Sequence, residues 1–199
     1  MSGNVKPRIQ SVDILRGIIM IIMALDHVRD FFHIHAIDGS PTDMATTTPF
    51  LFFTRWITHF CAPVFIFLSG ISACLAGQKK TKKQQGVFLI KRGAWLVIAE
   101  VLIMSFAMSF NPHYNTIFLL VFWSIGISMI ILGCMLRLPV TAIAITGIVV
   151  VLGHNVFDYL TITNDTFWGR LINILVTGQL KFVKLSDSHF VIVGYAPIP

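Results

Sequence analysis

Charge is scarce in this chain. Asp, Glu, Lys and Arg together make up 12% of its 199 residues, against about 25% in a soluble globular domain. Three stretches, residues 56–78, 101–136 and 138–157, contain none of the four. A helix needs about 20 consecutive apolar residues to cross a ~30 Å hydrocarbon core, and each stretch is that long. Together with a mean hydropathy of +0.79, this excludes a soluble enzyme, a disordered chain and a collagen-like fibre. No short alternating strands are visible, which argues against an outer-membrane barrel.

Other absences narrow the field further. The three cysteines, Cys61, Cys74 and Cys134, lie inside apolar runs with no CxxC spacing, so neither a disulfide framework nor a metal knuckle is expected. No cleavable leader is expected in the first apolar stretch, which carries Asp13 and Arg16 near its start and lacks a small-residue cleavage site. The pI near 9.5 comes without a basic stripe interleaved with aromatics. The excess sits at the ends of apolar segments, where it suits anionic lipid or an anionic cofactor and not nucleic acid. Ser69 and Ser72 have no GxSxG context and read as packing residues.

What remains is the pattern of an all-α, polytopic transmembrane helical bundle. Spans are expected at residues 12–33, 51–76, 87–110, 116–136 and 139–157, with a sixth starting near His189. The breaks fall at "GQKKTKKQQG", "NPHYN" and "RLP". Residues 167–176 are too few to span and include Arg170, which predicts an interfacial or re-entrant helix. The loop after the second span is rich in lysine, while the loop at 36–50 has Asp38, Asp43 and no base. The positive-inside rule then puts the lysine loop and the N-terminus in the cytoplasm, in a multi-pass protein of the cytoplasmic (inner) membrane. The chain stops inside a fresh apolar run, "VIVGYAPIP". Residues 1–199 are therefore expected to be the N-terminal part of one larger transmembrane domain.

Ionisable groups in hydrocarbon are costly, so each one inside a span is a functional candidate. The first span, "SVDILRGIIMIIMALDHVRDFFHIH", is the richest. At 100° per residue Arg16, His27 and Asp30 share a face, with Asp13 nearby. His27 lies about 22 Å from the cytoplasmic entrance at 1.5 Å per residue. Arg55 and His59 on the second span and Glu100 on the third reach comparable depths. A bland account stands beside each. Asp13–Arg16 suits an interfacial salt bridge, Asp26, Arg29, Asp30, His33 and His35 a solvated helix end, and His59 and Glu100 an interhelical hydrogen bond. The spacing of His27, His33 and His35 is too weak a signal for a metal site.

The stretches "RIQSVDILRGIIMIIMALDHVRDFFHIHAIDG" and "THFCAPVFIFLSGISACLAG" resemble membrane acyltransferases related to heparan-α-glucosaminide N-acetyltransferase, in particular their uncharacterised bacterial branch. The first span also resembles the opening of acyltransferase family three, in which D-x-L-R-G is followed by a histidine eleven residues after the arginine. Asp13, Leu15, Arg16, Gly17 and His27 match that spacing. The likeness is clear over residues 8–110 and looser up to "GYAPIP".

The resemblance implies a protein of ten or eleven spans that binds acetyl- or acyl-coenzyme A from the cytoplasm and acylates a sugar-like acceptor on the far side. It implies a catalytic histidine, at His27 by the family-three spacing or at His35 by the lysosomal enzyme's pattern, for which "HAIDG" is the counterpart. His27 is preferred because its match is ungapped. Histidine titrates near working pH and suits the base that transacylation needs. Asp30 or Asp26 would orient the ring. Arg16, Lys79, Lys80, Lys82, Lys83, Lys91 and Arg92 would hold the donor's phosphates. The expected partners are the lipid bilayer, acyl-CoA and the acceptor, with no metal and no nucleic acid; a homo-oligomer is left open. Two other readings stay open: a small-solute or proton-coupled transporter using His27, His59 and Glu100 as a relay, and a non-catalytic membrane assembly protein.

Overall fold

The computed structural model describes residues 10–32, 47–78, 80–153, 156, 166–176, 181–186, 188–195 and 197. These fall into two compact units, one within Met1–Cys74 and one within Leu75–Pro199.

The first unit contains α1 (Gln10–Phe32), α2 (Pro49–Thr58) and most of α3 (Cys61–Gly77). Helix α2 starts at an N-cap: the Thr48 hydroxyl accepts from Leu51 N–H at 3.3 Å, and Pro49 takes the first helical position, where its missing N–H costs nothing. α2 and α3 would be one helix were it not for a turn at His59–Phe60. Pro63 explains the break. It lacks the N–H that would bond the His59 carbonyl, and its ring crowds that oxygen. The stretch Pro49–Gly77 is still the one described segment long and apolar enough to cross a membrane on length and composition alone. The expected span at 51–76 coincides with it.

The second unit is built on a long antiparallel hairpin. Its rising arm is α4 (Lys82–Ala99), a π-helical turn (Glu100–Met104) and α5 (Ser105–Ser109). The arm begins with a reciprocal capping box between Thr81 and Gln84 and ends at Phe110, which takes the left-handed φ of 49°. The returning arm is strand β1 (Thr116–Leu119) followed by α6 (Val121–Met135). Glycines set the approach of the helices. A Cβ on Gly86 would lie 2.8 Å from the Gly133 carbonyl oxygen, and one on Gly126 would lie 2.8 Å from that of Gly93. Only glycine at these four positions permits this backbone-to-backbone contact.

Helix α7 (Val140–Gly153) and the nine-residue α8 (Phe167–Leu175) follow, then β2 (Lys181–Ser186) and β3 (His189–Val193). The strands form one sheet in the order β1-β3-β2, with β1 parallel and β2 antiparallel to β3. One sheet face carries the core, Leu119, Val183, Val191 and Val193, packed by Val101, Trp123 and Ile174.

The fold is mostly helical, but the all-α expectation needs amending. Residues 116–119 and 189–193, read as the starts of two helical spans, are strands. "TIFL" and "HFVIV" are apolar, β-branched and short, a class that periodicity cannot assign to helix or strand. The helix expected at 167–176 is present as α8, with Phe167 and Trp168 exposed and Asn173 buried.

Candidate functional site

The densest polar cluster in the first unit centres on Asp26. Its carboxylate accepts from the Thr58 hydroxyl at 2.7 Å and from Arg55 Nη1 at 2.9 Å, and Arg29 Nη2 lies 2.7 Å away. Asp26 and Arg29 are one turn apart on α1, and Arg55 and Thr58 are one turn apart on α2. The two i, i+3 pairs therefore meet face to face across the helix contact. Thr58 is 4% exposed, and the Asp26 and Arg29 side chains are 14% and 12% exposed. Charge-assisted bonds between such shielded groups are stronger than those of a surface pair.

A cavity of about 370 Å³ opens beside this cluster, lined by Asp26, Arg29, Thr54 and Thr58 on its polar side and by Leu25, Val28, Phe50 and Leu51 among its apolar walls. Such a concave space with few convergent polar groups is the usual form of a small-ligand site. His27, the residue after Asp26, is exposed on α1 and stands outside the cluster. His59 caps the end of α2 through its backbone N–H, 2.9 Å from the Arg55 carbonyl, and its ring meets Phe60 edge-on. His35 and Lys79 lie outside the described residues, as does the side chain of Asp30.

A match across nearly the whole chain decides the relationship. The family model described as "Heparan-alpha-glucosaminide N-acetyltransferase, catalytic" matches residues 8–198. The chain belongs to this family. No curated protein and no solved structure gives a match. The heparan-α-glucosaminide N-acetyltransferase family is membrane-associated, and its acetyltransferases use acetyl-CoA as donor.

The remaining candidate residues of this family member sit as follows. Arg16 bonds the Ser72 hydroxyl and, at 3.3 Å, the Leu68 carbonyl, so its guanidinium ties α1 to α3. Asp13 stands 3.9 Å from it in an open pair. Lys80 lies 3.4 Å over the Phe88 ring at the foot of α4, where Lys82 and Lys83 are exposed. Lys91 and Arg92 are exposed further along the same helix. Glu100 is 1% exposed, and its two carboxylate oxygens accept from the backbone N–H groups of Leu120 (2.9 Å), Phe122 (3.0 Å) and Trp123 (3.3 Å). It caps the first turn of α6, which no side chain of its own N-cap residue serves. A proton relay needs a carboxylate that can exchange partners, and three backbone donors hold this one. Among the described residues no group of three His, Cys, Asp or Glu is placed to hold a metal.

Sequence reasoning singled out Asp26 and Arg55 separately, and it missed Thr58 as their partner. The signal lay in the spacing: Thr58 follows Arg55 by one turn, as Arg29 follows Asp26.

Proposed function

We propose that this protein moves an acetyl or acyl group from cytoplasmic acyl-CoA to an extracytoplasmic sugar-like hydroxyl or amine. The family match over residues 8–198 carries this reading, and the Asp26 cavity supports it by offering a concave space on the same turn of α1 as the favoured histidine, which does not itself line it. In this reading the helical hairpin of the second unit spans the membrane, as α1 and α2–α3 do, with the lysine-rich foot of α4 in the cytoplasm. Lys80, Lys82 and Lys83, with Lys79, attract the donor's phosphates there. Arg16 is a weaker candidate for that task, because Ser72 and Leu68 already occupy its guanidinium.

The chemistry asks for one base. His27 takes the proton from the acceptor's hydroxyl or amine as the oxygen or nitrogen attacks the thioester carbonyl. The carbon–sulfur bond breaks, and the coenzyme A thiolate leaves and takes up a proton. Asp26 positions the acceptor side of the site, since Arg55, Arg29 and Thr58 fix its carboxylate at the cavity wall.

The test is coenzyme A release by the purified protein in proteoliposomes. A general base contributes about 10²–10⁴-fold in rate, so His27→Ala should lose at least that factor with donor binding kept. His35→Ala should fall far less. Normal turnover in His27→Ala with none in His35→Ala assigns the base to His35; activity in both ends the histidine mechanism.

A further inference from the structure

The sheet's second face is not part of the core. Cross-strand register aligns Phe118, Ile192 and Phe182 in one row on that face, and Thr116, Phe190 and Lys184 in the next. Phe182 is 63% exposed and Phe190 39%, whereas Val183 on the opposite face is fully buried. The sheet thus presents an apolar row beside a mixed row that includes a cation.

The hairpin fixes the height of these rows. Phe118 N–H bonds the Ser105 hydroxyl at 3.0 Å, and Leu120 N–H bonds Glu100 at 2.9 Å, so β1 runs down alongside the upper part of the rising arm. From Val87, where the expected span begins, to Ser105 is a rise of about 27 Å at 1.5 Å per residue, with Lys91 and Arg92 near its lower end reaching back to the headgroups. That is close to the ~30 Å thickness of a hydrocarbon core. The Phe118 row then falls at the outer edge of the hydrocarbon. The Lys184 row lies two strand residues higher, by about 7 Å, among the headgroups. A second constraint agrees. β2 is an edge strand, and open sheet edges are not tolerated in hydrocarbon.

We infer that this face is a lipid-contact surface, standing upright at the outer edge of the bilayer with Phe118, Ile192 and Phe182 at the acyl boundary and Lys184 level with the phosphates. The inference rests on the proposed spanning hairpin. Its consequence is an upright sheet held at the outer headgroup level by lipid as well as by the helical arm beside it.

The experiment places single nitroxide labels on Cys variants of the full chain, with Cys61, Cys74 and Cys134 replaced by Ala. The protein is held in proteoliposomes of phosphatidylcholine with a minority of phosphatidylglycerol. Labels go at Phe182, Lys184, Trp95 and His113, all exposed positions where replacement spares the core. Depth is read from relaxation by oxygen against a water-soluble nickel chelate. We expect position 95 in mid-hydrocarbon, position 182 about 5–10 Å below the headgroup surface, position 184 shallower than 182, and position 113 in water. Water exposure at 182 equal to that at 113, with 95 still in hydrocarbon, overturns the inference and leaves the hairpin reading intact. Water exposure at 95 overturns both. Shielding of 182 from both relaxants with dipolar broadening shows a second copy of the chain on this face, and also overturns the inference.

Discussion

Adding one methyl group at Gly126 should weaken the second unit, although the same change elsewhere should strengthen its helix. Gly to Ala in a helix interior ordinarily gains up to about 1 kcal/mol. At Gly126 the new Cβ would sit 2.8 Å from the Gly93 carbonyl oxygen, 2.9 Å from Val97 Cγ2 and 3.2 Å from Val97 N. Comfortable separations begin near 3.5 Å, so α4 and α6 must part by roughly 0.7 Å. Two of the three obstacles are backbone atoms, which cannot swing aside as a side-chain tip can. Overpacking of this kind costs about 1–3 kcal/mol, so after the propensity gain Gly126→Ala should lose up to about 2 kcal/mol. Gly93→Ala meets the same contact from the other helix, so the double variant should lose less than the two single losses combined. Gly147→Ala in α7, where a Cβ would meet nothing within 4 Å, is the control and should be neutral or stabilising. Unfolding in mixed micelles with rising SDS, followed by far-UV circular dichroism, measures each. Equal shifts for Gly126→Ala and Gly147→Ala would refute the close-contact reasoning.

Glu100→Gln keeps the side chain's shape but leaves a single oxygen to accept; that oxygen can serve Phe122 and Trp123, so amide hydrogen exchange at Leu120 should quicken, reflecting a loss of about 1–3 kcal/mol at the head of α6. Asp26→Asn should separate the acceptor side from the donor side, raising the acceptor KM and lowering kcat while coenzyme A affinity measured by calorimetry stays unchanged. Neutralising Lys80, Lys82 and Lys83 together to Gln should weaken coenzyme A binding, and added salt should erase the difference between that variant and the native protein; equal affinities at low salt would return these lysines to a topology signal. Thr54→Trp should fill the cavity and suppress transfer to the acceptor without touching donor binding, read as acceptor-dependent coenzyme A release.

Much of the helical framework could be read from the sequence, because runs without charge and the breaks at "GQKKTKKQQG" and "RLP" are strong local signals. The break at His59–Phe60 was equally local, since Pro63 announces it, yet the apolar run around it masks the interruption. The sheet was hidden for another reason: β1 finds its partner more than seventy residues later in the chain, and pairing over that distance leaves no trace in periodicity. The site shows the same division. Asp26, Arg55, Arg16 and Glu100 stood out as expensive ions in apolar surroundings, but their partners depend on how each helix is rotated. That rotation turned Asp26 toward Thr58 and Arg55, and turned Glu100 to the backbone of α6.

The parallel pairing of β1 with β3 also sets an order of events during synthesis. Thr116 pairs with Phe190, so β1 leaves the ribosome long before the strand that completes it exists. At about 5–20 residues per second, the wait is on the order of 4–15 seconds. Throughout it the hairpin of α4 and α6 can already be locked by its glycines and by Glu100, both of which draw only on residues 86–133. The nascent chain therefore carries a finished helical hairpin with one bare strand at its crown. That strand stays an open edge until β3 is made.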